Sequence, residues 1–455
     1  MNETKELAQF VADTSYNDLK DEVIDKVKGL VLDQFGCQLA FATMPWSRAV
    51  YKYIRDRKGG REESTVVNFG LRTTAEDATF ANATFAHGFE MDDTELSIGA
   101  HPGCVVIPSA LASGEMEMIS GKEFLTAVVV GYDVFIRIGM AANAIYRGFH
   151  NTGVLGPFGA TAATSKVLGF NADMVTNALA IAASESGGLG EYSETGGAVK
   201  RLHAGFAAQG GMRAAFLARR GLTGPPTALE GKKGFCQAFA NEYFLKEITA
   251  GLGKEFRILR TGNKPYCCCA GQHTNIDAVA EIAKEYAITP EEIEEIIVGQ
   301  SSLDVKILGS IVEPQDITSA QFSGRFGVAL RLIKGGNGFR DYSEENLRNP
   351  EILGLVKKIK YVVDEELERL PVKMCPSRVT IKLKNGTVYT KRVDYAKGTV
   401  QNPMTKEELE DKFRGLASMV LSDDGVENII QTVRRLEELD NVYKLGLLLM
   451  VDGGS

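Results

Sequence analysis

Residues His87 to Gly103, HGFEMDDTELSIGAHPG, bring together two histidines, four carboxylates (Glu90, Asp92, Asp93, Glu95) and two hydroxyls (Thr94, Ser97). A folding core needs none of these charges, and desolvating them is costly unless they are paired or used. An acidic run on its own reads as a solvated face. What weighs against that reading is the histidine inventory: only His87, His101, His150, His203 and His273, each in a Gly-rich or polar junction. Any one of them alone would be a capping or packing group. Together they predict at least one catalytic histidine, because imidazole titrates near neutral pH.

Three further segments carry chemistry. His150 sits in YRGFHNTGVLGPFG, where Arg147 adds charge. Lys200 sits in ETGGAVKRLHAG, before an Ala-rich helix. A Gly-Gly loop with a lysine at a helix N-terminus suits a carboxylate, since free N–H groups and the helix dipole favour an anion there. KPYCCCAGQH, Lys264 to His273, invites a zinc reading, but three adjacent thiols cannot readily share one tetrahedral ion and no second CxxC pair exists. Buried packing beneath a site is the default for such cysteines. Dinucleotide, Walker A and GxSxG sequences are absent, and neither a cofactor nor a metal is expected.

These residues need elements to hold them. Phe80, Ala83, His87 and Met91 recur at helical spacing, which puts His87 on the apolar face of an Ala-rich helix with the carboxylates at its end; Gly99 and Pro102 mark a loop. Leu19 to Phe41 reads as a helix, and Ala- and Gly-rich helices dominate to about residue 260. Ser120 with Glu123 is a capping box for Phe124 to Met140, and Asn171 caps the helix through Val175 to Ala183. Gly153, Gly156 and Gly159 line one helix and serve close packing. The texture changes near Lys264. Thr289 to Glu292 caps a short helix, Glu295 to Gln300 reads as a strand, and Arg378 to Lys384 and Thr387 to Val393 form a hairpin about Asn385-Gly386. After Pro403 capped helices return, Thr405 with Glu408 first and then amphipathic Val426 to Leu439. The fold class is therefore mainly α with an α+β part: a helical domain from residues 1–263 and 402–455, and an inserted α+β domain from 264–401.

Composition bounds the function. The chain has 455 residues, too many for one ordinary core, and 51 Lys and Arg against 59 Asp and Glu give a net charge of −8. That balance argues against a general nucleic-acid or anionic-membrane surface. No uninterrupted apolar run approaches membrane-spanning length, Gly131 and Asp133 interrupting the nearest; MNETKELAQF reads as no signal peptide, and seven cysteines do not read as a disulfide framework. A cytoplasmic setting is expected.

In this order the motifs resemble the MmgE/PrpD family, which includes 2-methylcitrate dehydratase, cis-aconitate decarboxylase and iminodisuccinate epimerase. The pieces are His87 to Pro102, the GFH segment at His150, Lys200 to Gly205, Lys264 to His273, and AQFS at Ala320 to Ser323. The resemblance implies a cofactor-independent homodimer whose site lies between a helical domain and an α+β lid, and whose substrate is a small carboxylate. It implies His101, His150, Asp92, Lys200 and His273 as catalytic, with Glu90, Thr94, His203, Lys264 and Phe326 around the substrate. His101 or His150 would be base or acid, Lys200 and His273 would hold carboxylates, and Asp92 would orient a histidine and raise its pKa.

Four departures stand out: Glu90 where the family has Asp, one extra residue before His101, Ala270-Gly271-Gln272 within the KPY motif, and Phe326 where a tyrosine is expected. The chemistry implied is proton transfer at a carbon beside a carboxylate, which needs a base near neutral pKa and cations for the growing charge. The leading expectation is a 2-methylcitrate dehydratase-like lyase; decarboxylation of a cis-aconitate-type acid and epimerisation or isomerisation of a dicarboxylate stay open as alternatives. The rivals from other classes are a non-catalytic carboxylate binder and, on the cysteine trio alone, a zinc-binding structural protein.

Overall fold

The structure, a computed structural model, describes residues 2–57, 60–142, 148–370 and 375–451. Six helices position the chemistry: α1 Asp21–Phe41, α2 Ala75–Ala86, α3 Gly103–Glu117, α4 Gly121–Ala141, α5 Asn151–Val167 and α6 Val199–Arg219. Their small residues decide how closely they meet. A Cβ on Gly156 of α5 would lie 2.7 Å from the Ala207 Cβ of α6, closer than packed carbons allow, so α5 and α6 approach through bare backbone. Ser120 and Glu123 form the expected capping box on α4, and the Asn171 side chain accepts from the Met174 N–H at 3.0 Å to open Ala172–Ala182.

One expectation needs correction. α4 is long and apolar enough to cross a bilayer, with mean hydropathy 1.7, but 94% of that stretch is buried within the protein. It is a core helix, and Asp133 within it is paired to Arg137, whose guanidinium also donates to the Glu255 carbonyl at 2.8 Å.

The middle section carries a four-stranded sheet of β1 Ile293–Gln300, β2 Ile359–Val363, β3 Ser377–Leu383 and β4 Val388–Val393, in the order β2-β1-β3-β4. β3 and β4 pair antiparallel about the Asn385-Gly386 turn, where Gly386 has φ +88°. β1 runs antiparallel to β3, with Ile296 opposite Ile381, and parallel to β2. Ser377, Val379, Ile381 and Leu383 all face inward, the alternation of a half-buried strand. β1 begins at Ile293, two residues earlier than its sequence suggests, and the Thr289 box caps a single 3-10 turn.

The last helices, Lys406–Ala417, Asp423–Arg434 and Tyr443–Leu448, return to α1 and the N-terminal core: Phe413, Ile429, Ile430 and Leu445 share one apolar cluster with Leu30, Val31 and Phe124. A second cluster joins Phe41, Phe89 and Met91 to Cys267, Ile296 and Val379. The middle section therefore rests on the C-terminal end of α1 and on the loop after α2.

Candidate active site

α2 stops one turn sooner than its periodicity predicts. It ends at Ala86, His87 caps it, and Met91 lies beyond it. The reason is Gly88, whose Cβ would sit 2.4 Å from the Phe41 Cβ; the chain must turn where it meets α1. Two residues on, Glu90 takes a left-handed conformation, φ +57°, which costs a side-chain-bearing residue roughly 1–2 kcal/mol. The turn buries every acid of the opening stretch: Glu90 is 1% exposed, Asp92 and Asp93 0%, and Glu95 2%. The solvated-face reading is thereby excluded.

Each acid has its own partner. Glu90 is met by three cations: Lys200 and Arg201 from the first turn of α6, and Lys264, whose Nζ donates to Glu90 Oε2 at 3.4 Å. Burial alone would raise the Glu90 carboxyl, but the charges of Lys200, Lys264 and Arg201 hold it well below the usual range. Burial lowers Lys200, whereas Glu90 and Asp92 overcome burial and raise Lys264. Asp92 Oδ2 accepts from His87 Nδ1 at 2.6 Å and lies 3.8 Å from His101 Nδ1. Against the effect of burial, the His87 and His101 rings hold Asp92 below its ordinary pKa. Asp93, its neighbour, behaves oppositely. Burial and the charges of Asp92 and Asp33 push it up to about 7. Glu95 holds the loop, accepting from Ser97, from the Ile98 N–H and from Arg260 Nε at 3.1 Å.

His101 Nδ1 meets the Asp93 carbonyl at 2.7 Å. A carbonyl only accepts, so Nδ1 carries the proton and Nε2 keeps its lone pair. Burial and the Lys264 and Lys200 charges lower His101 to about 3, so it is neutral at pH 7. His150 Nδ1 lies 3.1 Å from His203 Nδ1, and burial and Lys200 hold His150 well below its ordinary value.

These groups converge on a cavity of about 380 Å³. Glu90, Thr94, His101, His150, Lys200 and Lys264 form its helical wall, and Leu303, Ile307, Leu308, Phe322 and Leu367 its opposite wall. Lys200 Nζ stands 5.2 Å over the Phe322 ring and 5.5 Å over Tyr192.

The expected residues divide. Asp92 does not line the cavity; it acts on it through His87 and His101. His203 stands behind His150. His273 lines a neighbouring cleft of about 110 Å³ with Thr94 and Lys264, its Nε2 3.3 Å from the Cys268 carbonyl, and burial and Lys264 lower it to about 3. The carboxylate-holding role expected of His273 thus falls in this neighbouring cleft, outside the larger cavity lined by Lys200. Phe326 is a correction: it is buried in the core of the middle section beside Tyr342, off the cavity wall. The helix Gly324–Lys334 turns that ring inward, and Phe322 of AQFS faces the cavity instead. Arg147 lies outside the described residues.

Sequence reasoning missed Arg201, Tyr192 and Asn151. Only Arg201 had a signal, as the second cation after Lys200. The cysteine trio separates: Cys267 Sγ meets Met91 Sδ at 3.2 Å, Cys268 faces Tyr342, and Cys269 lines the cavity. The three do not form one ligand set. Among the described residues one trio, His87, Asp92 and Cys104, has donor atoms within 4.8 Å of one another. A metal there would have to displace the His87–Asp92 hydrogen bond and a proton from a thiol that burial holds well above its ordinary pKa.

Known proteins share this chain's full length. The MmgE/PrpD N-terminal domain matches residues 5–247 and the C-terminal domain residues 266–438. A cis-aconitate decarboxylase-like protein, oryM, of Aspergillus oryzae is 29% identical over 98% of this chain and 97% of its own. The cis-aconitate decarboxylases of Aspergillus terreus and Homo sapiens are each 28% identical over 98% of this chain, and over 95% and 94% of their own. With both domains matched in order, the mainly α chain with its α+β part belongs to the MmgE/PrpD family.

Proposed function

We propose that this protein is a cofactor-independent lyase that moves a proton at a carbon beside a carboxylate of a small di- or tricarboxylate, with decarboxylation of a cis-aconitate-type acid as its reaction. The observation that carries the reading is one arrangement. A neutral imidazole, tautomer-locked with Nε2 left free, shares a cavity wall with the ammonium groups of Lys200 and Lys264. The full-length likeness to cis-aconitate decarboxylases favours loss of CO2 over the dehydration of a 2-methylcitrate-type acid, which is the second reading.

The groups divide the work. Lys200 and Lys264 hold a carboxylate in place of part of their pairing to Glu90, and keep holding it as negative charge grows. The C–CO2 bond breaks and its electron pair passes into the conjugated carboxylate. A proton is then delivered to carbon from the imidazolium of His101 or His150. In the free protein burial and the lysine charges together keep both rings neutral. A bound anion offsets those charges and raises the ring pKa, so substrate itself prepares the acid. Each turnover takes up one proton from water. In the dehydration reading the same ring accepts the proton from carbon and hydroxide leaves.

The test is incubation with cis-aconitate, 2-methylcitrate and a set of C4–C6 dicarboxylates, following CO2 release and vinyl protons by NMR, with and without EDTA. CO2 from cis-aconitate, unaffected by EDTA, is expected. Water loss from 2-methylcitrate alone would select the second reading. Binding without turnover or deuterium exchange on every acid would favour the non-catalytic binder. On the same reading residues 264–401 act as a lid over a body built from 1–263 and 402–455. A homodimer is also proposed, supported by Tyr53, Val199 and Phe206 around one exposed apolar groove; light scattering at twice 49.3 kDa is the expected result.

A further inference from the structure

Three helices meet on one carboxylate that does not line the cavity, two through a polar side chain and one through a main-chain N–H. Gln34 Nε2 of α1 donates to Asp93 Oδ1 at 2.9 Å, Tyr132 Oη of α4 donates to Asp93 Oδ2 at 2.9 Å, and the N–H of Gly103, which opens α3, donates to Oδ1 at 3.1 Å. The cradle is tight. A Cβ on Gly103 would fall 2.4 Å from both Asp93 Oδ1 and Tyr132 Oη and 2.8 Å from Gln34 Nε2, so this position admits glycine alone. Asp93 is fully buried, and so are Gln34 and Tyr132. Its main-chain carbonyl points the other way and accepts from His101 Nδ1 at 2.7 Å. The adjacent Asp92 carboxylate is committed to His87 and stands 3.8 Å from His101 Nδ1, beyond hydrogen-bond reach.

We propose that Gln34, Tyr132 and Asp93 are positioning residues for His101: by pinning the Asp93 side chain they fix its carbonyl, and that carbonyl sets the tautomer and the aim of the imidazole. An imidazole that presents a free lone pair at Nε2 needs Nδ1–H, and a carbonyl is the acceptor that stabilises Nδ1–H without drawing the ring toward the charged state as a carboxylate would. α5 supplies the remaining restraint, the Thr152 Oγ1 that accepts from the His101 N–H at 3.1 Å. The cradle thus joins α1, α3 and α4 to one ring nitrogen that none of them touches. This assignment rests on the proposed role of His101, and its test has one arm that needs no substrate.

The test uses full-length protein labelled with 15N-histidine, as Tyr132→Phe, as Gln34→Met and as the double variant. In the wild type the His101 ring is expected as the Nδ1–H tautomer at pH 7, assigned by loss of its signals in His101→Gln. In the double variant the Nε2–H form is expected to reach at least a fifth of the population. With cis-aconitate as probe, kcat is expected to fall five- to fiftyfold while KM stays within twofold. Each single variant should show part of both effects, and Tyr132→Phe, which removes only a hydroxyl, serves if the double variant does not fold. An unchanged tautomer overturns the proposal, whether or not kcat falls, because a purely structural role would lower activity without moving the proton. A raised KM with unchanged kcat also overturns it. No turnover of cis-aconitate by the wild type counts against the proposed reaction alone, and the NMR arm then decides this inference by itself.

Discussion

The two walls of the cavity are built on opposite principles. On the helical wall Glu90, Lys200 and Lys264 are each almost fully buried and each answers another's charge. The facing wall is mostly apolar and more open: Leu303 and Ile307 remain 43% and 37% exposed, and its two acids, Asp304 and Glu368, accept from Ser301 at 2.7 Å and from Ser302 at 2.8 Å. Buried charges tolerate almost no displacement, because a lost partner leaves a desolvated ion. Exposed aliphatic side chains repack at little cost. The contrast teaches where each kind of change is tolerated: on the proposed function, reaction chemistry is fixed on one side, and substrate fit is adjustable on the other.

The sharpest way to break this contrast is Lys200→Ala. It removes one of the two cations proposed to hold the reacting carboxylate, and kcat on the substrate found in the panel should fall by about a thousandfold; activity within tenfold of wild type would remove Lys200 from the chemistry. His101→Gln should cost about a hundredfold or more in kcat, the range for a lost acid–base group, in the same steady-state assay. Glu90→Gln tests the wall as structure. It leaves Lys200, Arg201 and Lys264 facing one another, so urea unfolding should show a loss of about 3–5 kcal/mol, whereas Ile307→Ala should lie within about 0.5 kcal/mol.

The histidines give a pH-dependent version of the same test. His101 and His273 are lowered to about 3 and His203 to about 4. Unfolding releases them to about 6.5, so the unfolded chain binds more protons below that value. Their contribution to stability is complete above pH 6.5 and is lost as pH falls toward 3–4. The unfolding free energy measured in urea should therefore drop over that window, by up to about 1.4 kcal/mol per pH unit for each histidine, partly offset by Asp93, whose raised carboxyl takes up its proton first in the folded chain, and it should drop more gently in His273→Gln. Smallest of all, Ile307→Ala should change KM by only a few-fold with kcat unchanged, under about 1 kcal/mol, since this side chain stays 37% exposed and so loses less than the full value of a buried aliphatic contact. A collapse of kcat there would put chemistry on the lid wall and end the contrast.

How far the sequence could be read follows the range of each interaction. The capping boxes at Ser120 and Thr405 and the hairpin at Asn385-Gly386 are local, and each stands where its residues predict. His101, His150, Lys200 and Lys264 were visible because cations and imidazoles amid glycines are hard to explain otherwise, and they share one cavity. The end of α2 was not legible: helical spacing continues through Met91, and only the approach of Phe41 to Gly88 stops it. Phe326 was misplaced because its position was judged from a motif, whereas the phase of the helix from Gly324 decides which way the ring turns. Gln34 and Tyr132 lie 59 and 39 positions from Asp93, and no spacing rule connects residues that far apart.

The burial of α4 has a consequence for the order in which the molecule can be made. The N-terminal end of α4 is closed by the far end of the chain: the Gly121 N–H donates to the Leu439 carbonyl at 2.9 Å, the Val442 N–H to the Ile119 carbonyl at 2.9 Å, and Leu436 and Leu445 join its apolar cluster. A ribosome that has finished α4 must still translate three hundred residues before that end is covered. Throughout that interval the nascent chain displays a segment apolar enough for a bilayer, the kind of surface that chaperones and membrane-insertion machinery compete for. Premature termination before residue 436 should therefore yield aggregate or chaperone-bound chain, seen as loss of the truncated protein from the soluble fraction, even though every residue of the proposed site has already been synthesised.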